Sequence, residues 1–192
     1  MRAAAQQQPS SARLQTLEGC GLVISHYPGF RYNATGGGAL GHVEALVDGQ
    51  QALIFPADQV QIPPLSSRTG RFLGLPLPPG LQINIEPERL DGHLDPSNGH
   101  VELNFLARFR LQLQLAGRRF YSAPPLLVDT RLSTAAVSSH RHQINGRPLS
   151  ADSRGRLVGV AMVPPSGEPW LDRFLGLPDE ALAVLDFELR LT

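Results

Sequence analysis

The sequence predicts an all-β protein, an antiparallel barrel or a two-sheet sandwich of about ten strands with one short helix. The first observation is the run from Val101 to Leu115, in which every odd position is apolar while even positions carry Glu102, Asn104, Arg108, Arg110, Gln112 and Gln114. A period of two puts these sets on opposite faces of a strand, one in the core and one in water. The second is recurrence of that pattern at Leu81, Ile83 and Ile85, at Leu185, Phe187, Leu189 and Leu191, and more weakly at Leu126, Val128, Thr130 and Leu132. The third is turn chemistry: Asp95-Pro-Ser-Asn-Gly99 has proline and glycine where a turn between antiparallel strands wants them.

In chain order, the first thirteen residues are polar and low in complexity, which predicts a disordered arm over 1–16 ahead of a single β domain over 17–192. Strands follow at 20–25, 42–48 and 51–55, and Gly36-Gly-Gly38 reads as a flexible loop, with no lysine or following helix to make it a phosphate cradle. A hairpin joins 88–94 to the long strand, with Glu86 and Glu88 split by Pro87 at a strand end. Ala116-Gly117-Arg118 turns towards Arg119 to Tyr121, and Asn145-Gly146 is the dipeptide of a two-residue hairpin loop. Leu157 to Val163, apolar on both faces, is a central strand. The helix is 168–175, with Ser166 as cap, Pro169 early, and Trp170, Leu171, Phe174 and Leu175 at helical spacing. Trp170 and Phe174 pin it over an open end of the sheets; Gly176 and Pro178 end it, and a short turn over 179–182 precedes the last strand.

Arg71-Phe-Leu-Gly-Leu-Pro76 returns as Arg173-Phe-Leu-Gly-Leu-Pro178, each copy preceded by a Pro-Pro pair and followed by an alternating strand. This suggests a pseudo-duplicated unit and predicts similar traces for 60–88 and 161–190.

Composition excludes several chemistries. Charges balance at 17 basic and 17 acidic residues, so the field expected of a nucleic-acid binder is missing. All the basic residues are arginine, which removes Schiff-base and lysine-base catalysis. Cys20 is the only cysteine, in an apolar run, and reads as a buried inert thiol in a reducing compartment. No apolar leader and no long uncharged apolar stretch occurs, so neither a signal peptide nor a transmembrane helix is expected. His140-Arg-His142 has a spacing some metal sites use, but no third ligand stands near it, and Asp91, His93, Asp95, Asn98 and His100 fit no calcium loop. No catalytic residue, metal site or cofactor is assigned. The residues singled out for partner binding are Arg108 and Arg110 on the wet face of the long strand, joined by Arg131 from a neighbour, and the apolar Phe72, Trp170 and Phe174.

The stretches 87–109, 121–130, 157–161 and 174–178 resemble an uncharacterised family of cyanobacterial and plastid proteins. The resemblance brings no catalytic residue. It implies an oxygenic phototroph, a cytoplasmic or stromal protein near thylakoids, and peripheral contact with photosynthetic membranes.

Three classes of function remain. The first is a non-catalytic binding or assembly protein of unknown partner. The second is a β-barrel carrier of an apolar small molecule such as a lipid or pigment, and the third an enzyme of unknown reaction. The carrier is recognised by a large apolar cavity lined by the odd face of 101–115, and an enzyme by a pocket where the histidines converge with a carboxylate.

Overall fold

The structure, a computed structural model, describes residues 10–27, 29–141 and 143–192. The chain begins with β1 (Ser11–Thr16), β2 (Gly21–Ile24), β3 (Phe30–Tyr32), β4 (Gly38–Ala45), β5 (Gln51–Phe55) and β6 (Val60–Gln61). It continues through β7 (Gly70–Phe72), β8 (Leu75–Pro76), β9 (Leu81–Asp95), β10 (His100–Leu115) and β11 (Arg118–Ser122). The last elements are β12 (Leu126–Ser133), β13 (Val137–Ser138), β14 (Gln143–Ile144), β15 (Arg154–Val163), α1 (Pro169–Leu175) and β16 (Asp179–Leu191).

Eight strands form a ring in chain order: β1, β4, β5, β9, β10, β12, β15 and β16, each antiparallel to the next. β16 then pairs with β1, Leu189 opposite Leu14 and Phe187 opposite Thr16, and closes the ring. Of the two all-β architectures the sequence allows, the molecule adopts the up-and-down barrel, which leaves its wall without a free edge. We call the end at the Asp95–Gly99 turn the lower end and the end at the Ala116–Gly117 turn the upper end.

The odd residues of β10 point inward, as their alternation predicts. Val101, Leu103, Ala107 and Leu111 are buried. β9 carries a bulge that the sequence hides. Leu106 pairs with Arg89 but Ala107 with Pro87, so Glu88 is the extra residue. Below the bulge Leu90 and Leu94 are buried; above it Ile83 and Ile85 line the interior. The inward positions therefore change from even to odd, and 81–86 and 88–94 are one strand, not two separated at Pro87.

Other expectations are corrected by how backbones meet. Residues 11–16, placed in a disordered arm, are β1, hydrogen-bonded on both sides; Ala12 and Leu14 face the core. Residues 1–9 lie outside the described part. The glycine-rich segment is not a flexible loop throughout: Gly38 opens β4, and a Cβ there would stand 2.5 Å from the Leu14 carbonyl oxygen. Asn145-Gly146 makes no hairpin loop, because β13 and β14 pair before it, and a Cβ on Gly146 would come 2.4 Å from the Thr134 backbone. Residues 179–182 are the start of β16, in register with Met162, Ala161 and Val160, and not a helical turn.

The repeated hexapeptide takes two shapes. Arg71 and Phe72 are extended in β7, whereas Arg173, Phe174 and Leu175 form the last turn of α1, so the internal duplication is not a structural one. α1 itself forms where expected, with Pro169 at its start and Gly176 at φ 70° ending it. Its N-cap is Glu168, while Ser166 sits ahead and bonds Asp172 Oδ1 through both its backbone N–H (2.6 Å) and its hydroxyl (2.5 Å). Leu171, fully buried, pins the helix; Trp170 and Phe174, assigned that task from the sequence, are half exposed.

Candidate functional site: an apolar cavity under the helix

The lower half of the barrel is filled. Leu53, Leu94, Val101, Leu103, Phe187 and Leu189 are almost wholly inaccessible and pack in one cluster. Higher up, the inward side chains stop meeting across the ring. A cavity of about 240 Å³ opens there, floored by Leu14, Leu103, Leu132 and Phe187. Its wall includes Phe105, Phe109 and Leu111 of β10, Ile83 and Ile85 of β9, Leu126 and Val128 of β12, and Ala161, Ala181 and Ala183 of β15 and β16. Phe105 and Phe109 point inward yet are only partly buried, because they face this space. The three alanines leave room on the opposite wall.

The cover consists of segments outside the ring. α1 lowers Leu171 against Leu111 and Ala123, with Leu175 beside them. β2 is fixed to the upper part of β16, Ala181 opposite Ile24, and delivers Leu22, Ile24 and Tyr27. Leu65 bridges to Ile83 through hydrogen bonds of 2.9 and 2.8 Å. Tyr27 joins the pieces: its ring meets Phe72 at 5.5 Å and Phe174 at 6.4 Å, and its hydroxyl donates to the Phe174 carbonyl.

The hydroxyl groups along the cavity already have protein partners. Thr130 Oγ1 donates to the Val160 carbonyl at 3.0 Å, Thr16 Oγ1 to the Ala34 carbonyl at 2.6 Å, and Tyr32 to the Pro63 carbonyl. Burial pushes the Tyr32 phenol well above its usual range, so it stays neutral. At the upper margin Asp179 accepts from the His26 backbone N–H at 2.8 Å and from Arg141 at 2.9 Å, and Glu180 from Ser139 at 2.8 Å. Charge next to the cavity is thus mainly acidic, with Arg141 committed to Asp179.

The residues singled out from sequence divide into two groups. The arginine stripe is on the outer wall but is neutralised: Arg108 pairs with Glu88 at 2.5 Å, Arg110 with Glu86 at 3.6 Å, and Arg131 with Glu102. Glu86 and Glu88 thereby have a role as cross-strand counter-ions. Phe72, Trp170 and Phe174 do come to one end, Phe72 and Phe174 through Tyr27, and Trp170 through Tyr121 at 5.3 Å. An apolar interior and a charged outer wall are the reverse of a membrane-spanning barrel. Among the described residues no helix is long and apolar enough to cross a membrane.

The histidines do not gather at the cavity. His93 and His100 meet at 6.4 Å near the lower turn, where His100 Nδ1 is 3.0 Å from Thr134 Oγ1; His42 lies beside Glu44 on the outside. His142 lies outside the described residues, and among those described no three metal-ligating groups converge. Burial pushes the Cys20 thiol up to about 11, and its Sγ donates to the Asp186 carbonyl at 3.2 Å. The face of β16 read as wet is covered here. Asp186 is buried and clamped by Arg156 through two contacts of 2.8 Å, which hold its carboxyl below the usual aspartate range, and Glu188 lies near Arg154 at 3.8 Å.

Fold and site together define an eight-stranded up-and-down barrel with an apolar interior cavity capped by a helix. Comparison with protein-family models, with curated proteins and with solved structures finds no match to this chain.

Proposed function

We propose that the protein is a carrier of a neutral, apolar small molecule held in the upper half of the barrel. The observation that carries this reading is the cavity itself. Its walls come from seven of the eight ring strands and its cover from three further segments, and its hydroxyl neighbours Thr16, Tyr32 and Thr130 are already bonded to protein. A cavity of 150 Å³ lined by Leu, Ile and Phe stays dry and accepts benzene, so one of 240 Å³ suits a ligand of roughly ten non-hydrogen atoms or a little more. A carboxylate on the ligand would find no basic side chain among the lining residues and the acidic Asp179 and Glu180 at the margin. An alcohol, ester, hydrocarbon or small terpenoid fits that lining better than a fatty acid. Assembly without a ligand gives no reason for a hollow interior, and the dispersed histidines offer no acid-base pair to an enzyme.

The test is uptake of an environment-sensitive apolar dye by purified, delipidated protein, followed by displacement with decanol and with decanoate at neutral pH. Decanol is expected to displace the dye at concentrations at least tenfold below decanoate. The Ala161→Phe variant, which puts a ring into the cavity, is expected to lose uptake while keeping its thermal midpoint. No dye uptake by a folded wild type, or unchanged uptake by the variant, would remove the reading.

A further inference from the structure

The end of the barrel that carries the cavity cover gathers six of the twelve large apolar side chains exposed among the described residues. Three segments form its rim: the β7–β8 hairpin, the β10–β11 hairpin and α1. They expose Leu73 and Leu75, Leu115 and Phe120, and Trp170 and Phe174, each between 48% and 74% accessible. The segments adjoin, since Tyr27 touches both Phe72 and Phe174, and Tyr121 touches Trp170.

Arginines outnumber the carboxylates on the same rim, where Glu168 and Asp172 of the helix start and Asp179 and Glu180 of the cavity margin are the acidic groups. Nine arginines of the described chain are ion-paired, and those pairs lie on the barrel wall or beside Asp179. Arg71, Arg118, Arg119 and Arg173 make no ion pair, are exposed, and alternate with the apolar side chains of the rim. Arg31 adds a fifth: it stands directly opposite Arg71 across β3 and β7, a like-charge pair that costs stability unless an anion covers it. The nearby carboxylates keep their charge but are tied to the protein, Glu168 by Tyr121 and Trp170, and Asp172 by Ser166, and none of them pairs with these five arginines.

We propose that this rim docks on an anionic lipid bilayer, with the covered mouth of the cavity turned to the membrane. Exposed Trp, Phe and Leu interleaved with arginines match the interfacial layer of a bilayer: rings and aliphatic chains enter at headgroup depth while guanidinium groups stay with the phosphates. A nucleic acid would use the arginines but leave six large apolar side chains in water. The docking rests on the rim alone. That the cavity exchanges its content there, without the ligand crossing water, rests on the carrier reading.

Trp170 is the one tryptophan of the chain and sits in the rim, so its emission reports docking. The full chain is titrated with phosphatidylcholine vesicles and with vesicles in which phosphatidylglycerol replaces part of that lipid. Emission should move to the blue and be quenched by brominated acyl chains with the anionic vesicles, and the effect should weaken as salt rises. The double variant R118Q/R119Q, confirmed as folded by circular dichroism, should bind those vesicles about 10- to 30-fold more weakly. Unchanged emission at lipid excess, equal binding to both vesicle types, or an unaffected double variant would overturn the proposal. So would a concentration-dependent dimer that shields Trp170 without lipid, which would assign the rim to a second copy. Dye uptake is measured without vesicles, so failure of docking and failure of the carrier reading are separate results.

Discussion

The two ends of the barrel use the same strands to opposite effect. At the lower end, side chains from facing strands meet: Val101, Leu103 and Leu53 are no more than 1% accessible. At the upper end, the same β10 presents Phe105 and Phe109 to a space that alanines on β15 and β16 decline to fill. A continuous alternating strand therefore serves as core in one half and as container wall in the other. Stability and binding are separated along one strand.

The largest expected effect tests the filled end. Leu53→Ala should cost about 3 to 4 kcal/mol, because the closed ring cannot collapse onto the hole. Chemical denaturation reads this directly, and a loss below about 1 kcal/mol would mean that the lower half is as loose as the upper. The next effect concerns the outer wall between the ends. Asp186→Asn should cost about 2 kcal/mol at neutral pH, since Arg156 and Arg147 then lose their counter-charge on a largely covered face. Asp186 has its folded pKa depressed, so its contribution is fully present above the unfolded aspartate value of about 4 and is lost as pH falls through the folded value. Denaturation curves of wild type and variant should therefore stay apart at pH 5 to 8 and converge only below about pH 4. The smallest effect tests the hollow end: Phe109→Ala should cost only about 1 to 1.5 kcal/mol, well under the usual range for a core Phe, since one side of the ring has no packing partner. The same variant should shift dye displacement towards longer alcohols. A cost equal to that of Leu53→Ala would mean that the cavity is closed in solution.

Much of this architecture was legible because period two is a direct readout of which side faces in. β10 and β16 followed their odd positions and β12 its even ones, and the Asp95–Gly99 turn fell where its residues asked for it. β9 was only half legible: the bulge at Glu88 switches parity, and a chain that switches parity reads as two strands with a break at proline. β1 escaped notice because Ala12 and Leu14 are its only inward apolar residues, and its evidence lies in the partners on both sides. The duplicated hexapeptide misled for a related reason. Six residues do not determine a conformation; in β7 they are held by β3, in α1 by Leu171 beneath the helix. The arginine stripe was visible, but its counter-ions Glu86 and Glu88 were assigned to an edge that does not exist. The cavity had no signal in the sequence, since an empty space has no residue type and follows only from which side chains fail to meet.

Closure of the ring has a consequence for how the molecule is made. The seam joins β1 to β16, and Ser10 and Ser11 donate their backbone N–H groups to the Thr192 carbonyl at 3.0 and 2.9 Å, across nearly the whole length of the chain. Seven strands can pair with a sequence neighbour as they leave the ribosome, but β1 keeps one row of hydrogen-bonding groups open until β16 has been synthesised. Until then the nascent wall is a curved open sheet with its apolar concave side in view. Pairing at such sequence separation is slow, which makes that interval the one in which the chain is most exposed to aggregation and most dependent on a chaperone.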